Sequence, residues 1–96
     1  MSKYELAFVV SAKLEDDARQ AVVDKATDYI TRHGGTVTEV DAWGKRKLAY
    51  EIQKMSEAYY YFIRFEADPT VPAQLEQSVR IMDNVLRYLI VKQDEK

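Results

Sequence analysis

The sequence predicts an α+β domain in which two helices pack on one face of a four-stranded antiparallel sheet. Two observations support this prediction. Residues 14–33 repeat apolar side chains at helical spacing, and a shorter helical repeat follows Pro69. Four β-rich segments surround these two helical segments. The resulting order is strand, helix, strand, strand, helix, strand, which is the ferredoxin-like arrangement of two split βαβ units (βαββαβ).

The first strand and the first helix are the clearest elements of the N-terminal half. Residues 4–10 are rich in β-forming side chains and predict a strand. Residues 14–33 predict an amphipathic helix, and Gly34 and Gly35 directly after it supply the left-handed cap with which helices commonly end. The expected apolar stripe of this helix comprises Leu14, Ala18, Ala21, Val22, Lys25, Ala26, Tyr29 and Ile30.

The second strand is expected to be long and irregular. Residues 36–40 and 47–52 both have strand character, but the alternation of side chains slips by one residue near Gly44. Because such a slip turns every later side chain to the other face, we expect a β-bulge at Gly44 that keeps both segments in one strand. Residues 54–58 are mostly polar and predict a hairpin turn.

The C-terminal half repeats the pattern of strand, helix and strand. Residues 59–67 form the strongest predicted strand of the chain. Thr70 is expected to cap a second helix, whose first turn tolerates Pro72. Residues 83–84 predict a turn, and 85–92 predict the last strand.

Bulk composition restricts the class of protein. We expect a single domain over residues 1–96, because a chain of 96 residues has room for one. The sequence contains no cysteine, which excludes disulfides and thiolate metal sites. The apolar stretch at the N-terminus is too short for a signal peptide, and no run approaches membrane-spanning length, so we expect a cytoplasmic protein without a membrane partner. The net charge of −2 means that any RNA binding has to rest on a local basic patch.

The sequence offers little for catalysis. The single histidine, His33, lies at a helix C-terminus, where it complements the helix dipole and has no neighbour that would make it a general base. One histidine without cysteine argues against a zinc site. The loop at 11–13 lacks the glycine and arginine of a phosphate-binding loop, which argues against an acylphosphatase-type hydrolase. We therefore expect no enzymatic activity, no cofactor, no metal and no small-molecule substrate.

The sheet face that the helices leave uncovered, called the open face below, is expected to be apolar with a basic rim. Alternation about the charged residues Glu5, Arg64 and Arg87 indicates which side chains point to it. The expected partner-binding residues are Val9, Tyr60, Phe62, Arg64, Leu89 and Val91. Such a patch often marks an interaction surface, although a partly apolar sheet covered by the C-terminal tail has the same pattern. Stacking of RNA bases on the aromatic residues of the third strand is a further alternative, but the strand matches RNA recognition modules poorly.

Basic residues concentrate in the second strand and toward the last one. The candidate RNA-binding residues are Lys45, Arg46, Lys47, Arg80, Arg87 and Lys92. Lysine and arginine on an extended segment can follow a phosphate backbone. Charges on an edge strand also protect it against aggregation, and the sequence pattern fits both explanations equally.

Four segments of the chain resemble one known family. They are Tyr4-Glu5, Gly34-Gly35, residues 43–52 (WGKRKLAYEI) and residues 80–92 (RIMDNVLRYLIVK). Together they resemble ribosomal protein six of the bacterial small subunit, over nearly the whole chain. The patterns Trp-Gly-Lys-Arg-x-Leu-Ala-Tyr and Arg-Ile-x-Asp-x-Val-x-Arg are specific at this spacing.

The resemblance implies a ferredoxin-like fold, no catalysis and a structural, ribosome-associated role. Members of that family bind the central domain of small-subunit ribosomal RNA together with ribosomal protein eighteen, a small basic protein. By this resemblance the expected contacts include Lys45, Arg46, Lys47, Arg80 and Arg87, and their division between RNA and protein stays open. The acidic net charge then has a physical explanation, because a basic partner supplies part of the phosphate neutralisation.

Overall fold

Two helices and four strands follow one another in the predicted order. A computed structural model describes residues 2–52, 54–82 and 84–93. The elements are β1 Ser2–Ser11, α1 Asp16–Arg32, β2 Thr36–Ile52, β3 Met55–Ala67, α2 Val71–Arg80 and β4 Val85–Gln93. The strands form one antiparallel sheet in the order β2-β3-β1-β4. The predicted ferredoxin-like fold is confirmed.

The hydrophobic core lies between the helices and one face of the sheet. Tyr4 and Leu6 of β1 and Phe65 of β3 point into it, and the rings of Tyr4 and Phe65 stack with their centroids 5.6 Å apart. Ile30 of α1 and Leu75 of α2 are fully buried in the same core. Burying one such side chain contributes about 2 kcal/mol, so this shared core holds both helices on one face and leaves the other face open.

The predicted glycine cap ends helix α1, and its two glycines serve different purposes. Gly34 has a φ of +84°, in the left-handed region. The amide of Gly34 donates to the Thr31 carbonyl at 3.2 Å, and the amide of Gly35 donates to the Ile30 carbonyl at 2.8 Å, which is the bond pair of a Schellman motif. A Cβ added at Gly35 would lie 2.7 Å from Ile30 Cγ2 and 3.1 Å from the Glu66 carbonyl oxygen. Gly34 therefore permits the turn, and Gly35 permits the close approach of the chain to the helix.

Helix α1 begins later than predicted, and its buried stripe is narrower. The helix starts at Asp16 rather than at residue 14. Its buried residues are Val22, Val23, Ala26 and Ile30. Ala18 and Ala21 are exposed. The long side chain of Arg19 covers the sheet there instead, with its guanidinium carbon 3.7 Å from the centroid of the Tyr59 ring.

The residue predicted to cap α2 has the predicted position but makes a different bond. Thr70 directly precedes the helix, and Pro72 lies in its first turn. The amide of Thr70 donates to Asp68 Oδ1 at 3.1 Å, and its hydroxyl donates to the same oxygen at 3.0 Å. These two bonds, the amide first, lower the pKa of the Asp68 carboxyl below its ordinary value. The predicted helix is confirmed with Thr70 as its N-cap residue, but the Thr70 side chain accepts no hydrogen bond from a backbone N–H of the helix and donates to Asp68 instead.

The predicted bulge in β2 is confirmed. Tyr61 of β3 pairs with Ala42. Its neighbour Tyr60 pairs with Gly44, which leaves Trp43 as the extra residue of β2. Gly44 has a φ of +81°, a conformation that glycine adopts without strain. The bulge therefore removes Trp43 from the regular alternation of the strand.

The hairpin turn between β2 and β3 is shorter than predicted. Residues 55–58 belong to β3, because backbone pairing with β2 continues to the end of the hairpin. Lys54, with a φ of +65°, lies in the turn itself. Of the other predicted turn, Asn84 is described and lies in a turn, whereas Asp83 and the tail residues 94–96 fall outside the described residues.

Candidate RNA and partner interface

The open face carries the predicted apolar patch. Pairing places Val9 of β1 between Tyr60 of β3 and Arg87 of β4. Paired residues of antiparallel strands point to the same side of a sheet, so these side chains share the face opposite the helices. They line a shallow concavity of about 350 Å³. Its lining includes Ala7, Val9, Tyr60, Phe62, Arg87 and Leu89.

The residues of this patch differ in exposure. Leu89 is 61% exposed and Val91 is 39% exposed, in agreement with their predicted outward direction. Tyr60 and Phe62 are half-buried on the same face. Val9 is only 9% exposed, because larger side chains on both neighbouring strands surround it. Val9 therefore forms the floor of the concavity and is not an exposed contact residue.

Arg64 points to the open face as predicted, but its charge is already paired with two carboxylates of this chain. Its Nε donates to Glu5 Oε2 at 3.1 Å, and its Nη1 donates to Glu39 Oε1 at 2.5 Å. These bonds, the one to Glu39 first, raise the pKa of Arg64 above its ordinary value. Asp41 lies opposite Phe62 and points to the same face. The predicted basic rim is therefore wrong at Arg64, because carboxylates from two other strands surround its charge and make this end of the open face acidic.

Backbone alternation divides the basic cluster of β2 between two faces. Lys45 pairs with Tyr59 on the helix side of the sheet, and its Nζ lies 5.9 Å from the centroid of that ring. Lys47 has the same parity, whereas Arg46 points to the open face. Arg46 Nε donates to the Trp43 carbonyl at 3.3 Å, and its guanidinium carbon lies 5.5 Å from the centroid of the Trp43 ring. All three basic side chains are exposed.

The other candidate basic residues lie on different surfaces. Arg87 is on the open face, with its guanidinium carbon 4.8 Å from the centroid of the Tyr50 ring. Lys92 pairs with Tyr4, whose side chain points into the core, so Lys92 lies on the helix side of the sheet. Arg80 is in the last turn of α2. The six candidate residues thus do not form one patch, but Arg46 and Arg87 share the open face.

Two exposed aromatic side chains border the open face and were not among the predicted contacts. Trp43 is 50% exposed and packs on Phe62, with the ring centroids 4.6 Å apart. Its indole N–H donates to Asp41 Oδ2 at 2.9 Å. Tyr50 is 55% exposed and lies beside Arg87. The sequence did contain a signal for Trp43, because it directly precedes the bulge glycine. Tyr50 of β2 lies beside Arg87 of β4, a strand that is not its neighbour in the sheet, and no local pattern predicts that contact.

A model of the family Ribosomal protein S6 matches residues 3–92. The chain belongs to the ribosomal protein S6 family. It is 49% identical to the small ribosomal subunit protein bS6 of Clostridium kluyveri and 41% identical to that of Heliobacterium modesticaldum, in both cases over the full length of both chains. The crystal structure of 30S ribosomal protein S6 from Thermotoga maritima superposes with a TM-score of 0.91 at 27% identity, covering 96% of this chain and 87% of that one. The family that the motifs indicated is confirmed.

Membership in the ribosomal protein S6 family also fixes the general class of function. Proteins of this family are structural and not enzymatic, so the chain is a structural protein of the cytoplasmic small ribosomal subunit. Within residues 2–52, 54–82 and 84–93, no helix is long and apolar enough to cross a membrane. Over the same ranges, no group of three or more His, Asp or Glu side chains is placed to hold a metal ion.

Proposed function

We propose that this ribosomal protein S6 chain binds small-subunit ribosomal RNA jointly with ribosomal protein eighteen, a small basic protein. The uneven distribution of charge over the open face supports this proposal. Glu5 and Glu39 surround Arg64 at one end, whereas Arg46 and Arg87 lie toward the hairpin end. Such a surface suits a basic protein at its acidic end and RNA phosphates at its basic end.

The basic partner is proposed to bind the acidic end and the apolar concavity. Leu89 and Val91 offer exposed apolar area, and Tyr60 and Phe62 line the concavity above Val9. Apolar contacts of this kind supply most of the affinity of a protein interface, whereas charge complementarity supplies orientation and a fast association rate. Arg64 acts indirectly in this arrangement, because it holds the two glutamates in place.

The RNA is proposed to contact the basic residues of the hairpin and of β4. Arg46 and Arg87 are its main contacts on the open face, and Lys45 and Lys47 extend the contact around the edge of the sheet. Arg80 and Lys92 are peripheral contacts. Since the whole chain has a net charge of −2, it attracts a polyanion weakly when alone. A basic partner bound at the acidic end offsets this negative charge and so strengthens the attraction of the RNA.

Binding to an RNA fragment of the small-subunit central domain tests the proposal. We expect weak binding by the chain alone and tight, salt-dependent binding by the chain with ribosomal protein eighteen. In that complex Arg46→Glu and Arg87→Glu each weaken RNA binding without lowering the thermal unfolding midpoint. Lys25→Glu, the same charge change on the exposed surface of α1, is the matched control and leaves the affinity nearly unchanged.

Tight, sequence-specific RNA binding by the isolated chain contradicts this function. The competing possibility is a free RNA-recognition module that binds single strands on Tyr60 and Phe62. Replacement of these two residues by leucine separates the possibilities. A loss of single-strand affinity in the absence of any partner favours the free module.

A further inference from the structure

Trp43 and Tyr50 stand on opposite sides of the concavity in the open face. Trp43 packs on Phe62, which lines one side, and Tyr50 lies beside Arg87, which lines the other. About half of each aromatic side chain is exposed, 50% for Trp43 and 55% for Tyr50. Exposed aromatic rings at the rim of an apolar patch are typical of contact surfaces, because they offer a large flat area and a polar group.

Trp43 is held in its position by contacts within the chain. The bulge at Gly44 takes it out of the strand alternation, and its ring packs on Phe62. The hydrogen bond from the indole N–H to Asp41, at 2.9 Å, fixes the rotation of the ring. A side chain that is already fixed loses little conformational freedom on binding, which favours its use as a contact.

Each of the two rings has an arginine beside it. The guanidinium carbon of Arg46 lies 5.5 Å from the centroid of Trp43, and that of Arg87 lies 4.8 Å from the centroid of Tyr50. Aromatic rings with neighbouring cations are the combination with which proteins hold single-stranded RNA, since bases stack on the rings and phosphates meet the cations. A basic protein partner fits this end poorly, because its charges repel both arginines.

We propose that Trp43 and Tyr50 stack on unpaired bases of the small-subunit ribosomal RNA, while Arg46 and Arg87 bind the adjoining phosphates. This inference rests on the RNA-binding function proposed above. It assigns the hairpin end of the open face to RNA and leaves the acidic end and the apolar concavity to the protein partner. Stacking tolerates different bases, because every base has a π-face, so the rings add affinity and the RNA structure determines which bases reach them.

The single tryptophan of the chain permits a direct test of base stacking. With 5-hydroxytryptophan at position 43, the chain can be excited apart from any tryptophan of ribosomal protein eighteen. The partner, seated in the adjoining concavity, is expected to change the fluorescence only in part, and addition of the central-domain RNA fragment to the chain and its partner is expected to quench it further. Quenching by the partner alone, with no further change on addition of RNA, overturns the proposal.

Substitution of Tyr50 supplies a second test with a matched control. Tyr50→Leu removes the aromatic ring and Tyr50→Phe keeps it. We expect the leucine variant to weaken RNA binding by the complex on the order of tenfold, the phenylalanine variant to bind almost like the native chain, and both to keep full affinity for the partner. Equal RNA binding by the two variants, or a loss of partner affinity in the leucine variant, overturns the stacking role. Failure of the native complex to bind RNA refutes the proposed function itself, so the two failures are distinguishable.

Discussion

Arg64 connects three strands of the sheet through its two ion pairs. It belongs to β3, Glu5 to β1 and Glu39 to β2. The alternation of β3 correctly predicted that Arg64 points to the open face. The partners were not predictable, because the pairing of β2 with β3 determines which carboxylates come close. The same residue, expected as a contact of the protein partner, is an internal link at the acidic end.

Replacement of Arg64 tests that link. Arg64→Met leaves Glu5 and Glu39 close together without a cation between them, so we expect a lower urea midpoint of unfolding at low salt. The difference from the native chain should shrink at high salt, because ions screen the exposed carboxylates. Arg64→Lys keeps the charge but loses the rigid guanidinium that donates to both glutamates, so its urea midpoint should lie between those of the native chain and the methionine variant. An unchanged midpoint for the methionine variant at low salt excludes a stabilising role.

Among the elements, the C-terminal cap of α1 was predictable, because a pair of glycines after an amphipathic segment has one common use. The bulge in β2 was predictable too, because the slip in alternation around Gly44 requires it. The start of β3 was not predictable, since the composition of residues 54–58 is that of a turn, whereas their pairing with β2 extends the strand. Local composition does not report such long-range backbone hydrogen bonds.

The two glycines of the α1 cap are expected to differ in their response to substitution. Gly34→Ala meets no neighbouring atom but places alanine at a φ of +84°, so it should cost about 1 kcal/mol of unfolding free energy. Gly35→Ala puts a methyl group 2.7 Å from Ile30 Cγ2, so it should cost about 1–3 kcal/mol through overpacking. Gly34→Asn, which tolerates the left-handed region, should be nearly neutral. Urea unfolding measures all three, and native stability of Gly35→Ala contradicts the close approach.

The start of α2 should make stability depend on pH through Asp68. Hydrogen bonds from Thr70 lower the pKa of Asp68 below its ordinary value of 3.8 in the folded chain. A lowered folded pKa means that the carboxylate contributes stability at pH values above 3.8 and that this contribution disappears as the pH falls through the folded pKa. We therefore expect the native chain to be more stable than Asp68→Asn at pH 7, with the difference vanishing in acid. A difference that is constant down to the lowest pH contradicts this role, and thermal unfolding over a pH series measures it.

For the molecule as a whole, the fold and the family followed from the order of the elements and from two specific motifs. The candidate site followed only in part. Alternation alone predicted that Phe62 and Leu89 point to the open face. Which of Lys45 and Arg46 points to the open face follows only from the register in which β2 pairs with β3. The contact of Tyr50 with Arg87 joins two strands that are not neighbours in the sheet. These properties arise from contacts between distant segments, which no local pattern contains.

Charges of opposite sign are separated on the surface of the molecule, although its net charge is small. A chain with a net charge of −2 binds RNA poorly if its charges are evenly spread. On the open face they are separated, with carboxylates around Arg64 and arginines toward the hairpin. We propose that the acidic end receives the basic protein and the hairpin end receives RNA. Each ligand then improves the binding of the other, since together they satisfy both ends of one surface.

Cosedimentation with small ribosomal subunits tests this joint binding most directly. Subunits are assembled with and without ribosomal protein eighteen, and the amount of the chain in the subunit fraction is measured over a salt series. We expect the chain to travel with complete subunits and to be released when the basic partner is omitted. Arg46→Glu should be released at lower salt than the native chain, and Lys25→Glu should not. Full retention of the chain on subunits that lack the partner contradicts joint binding.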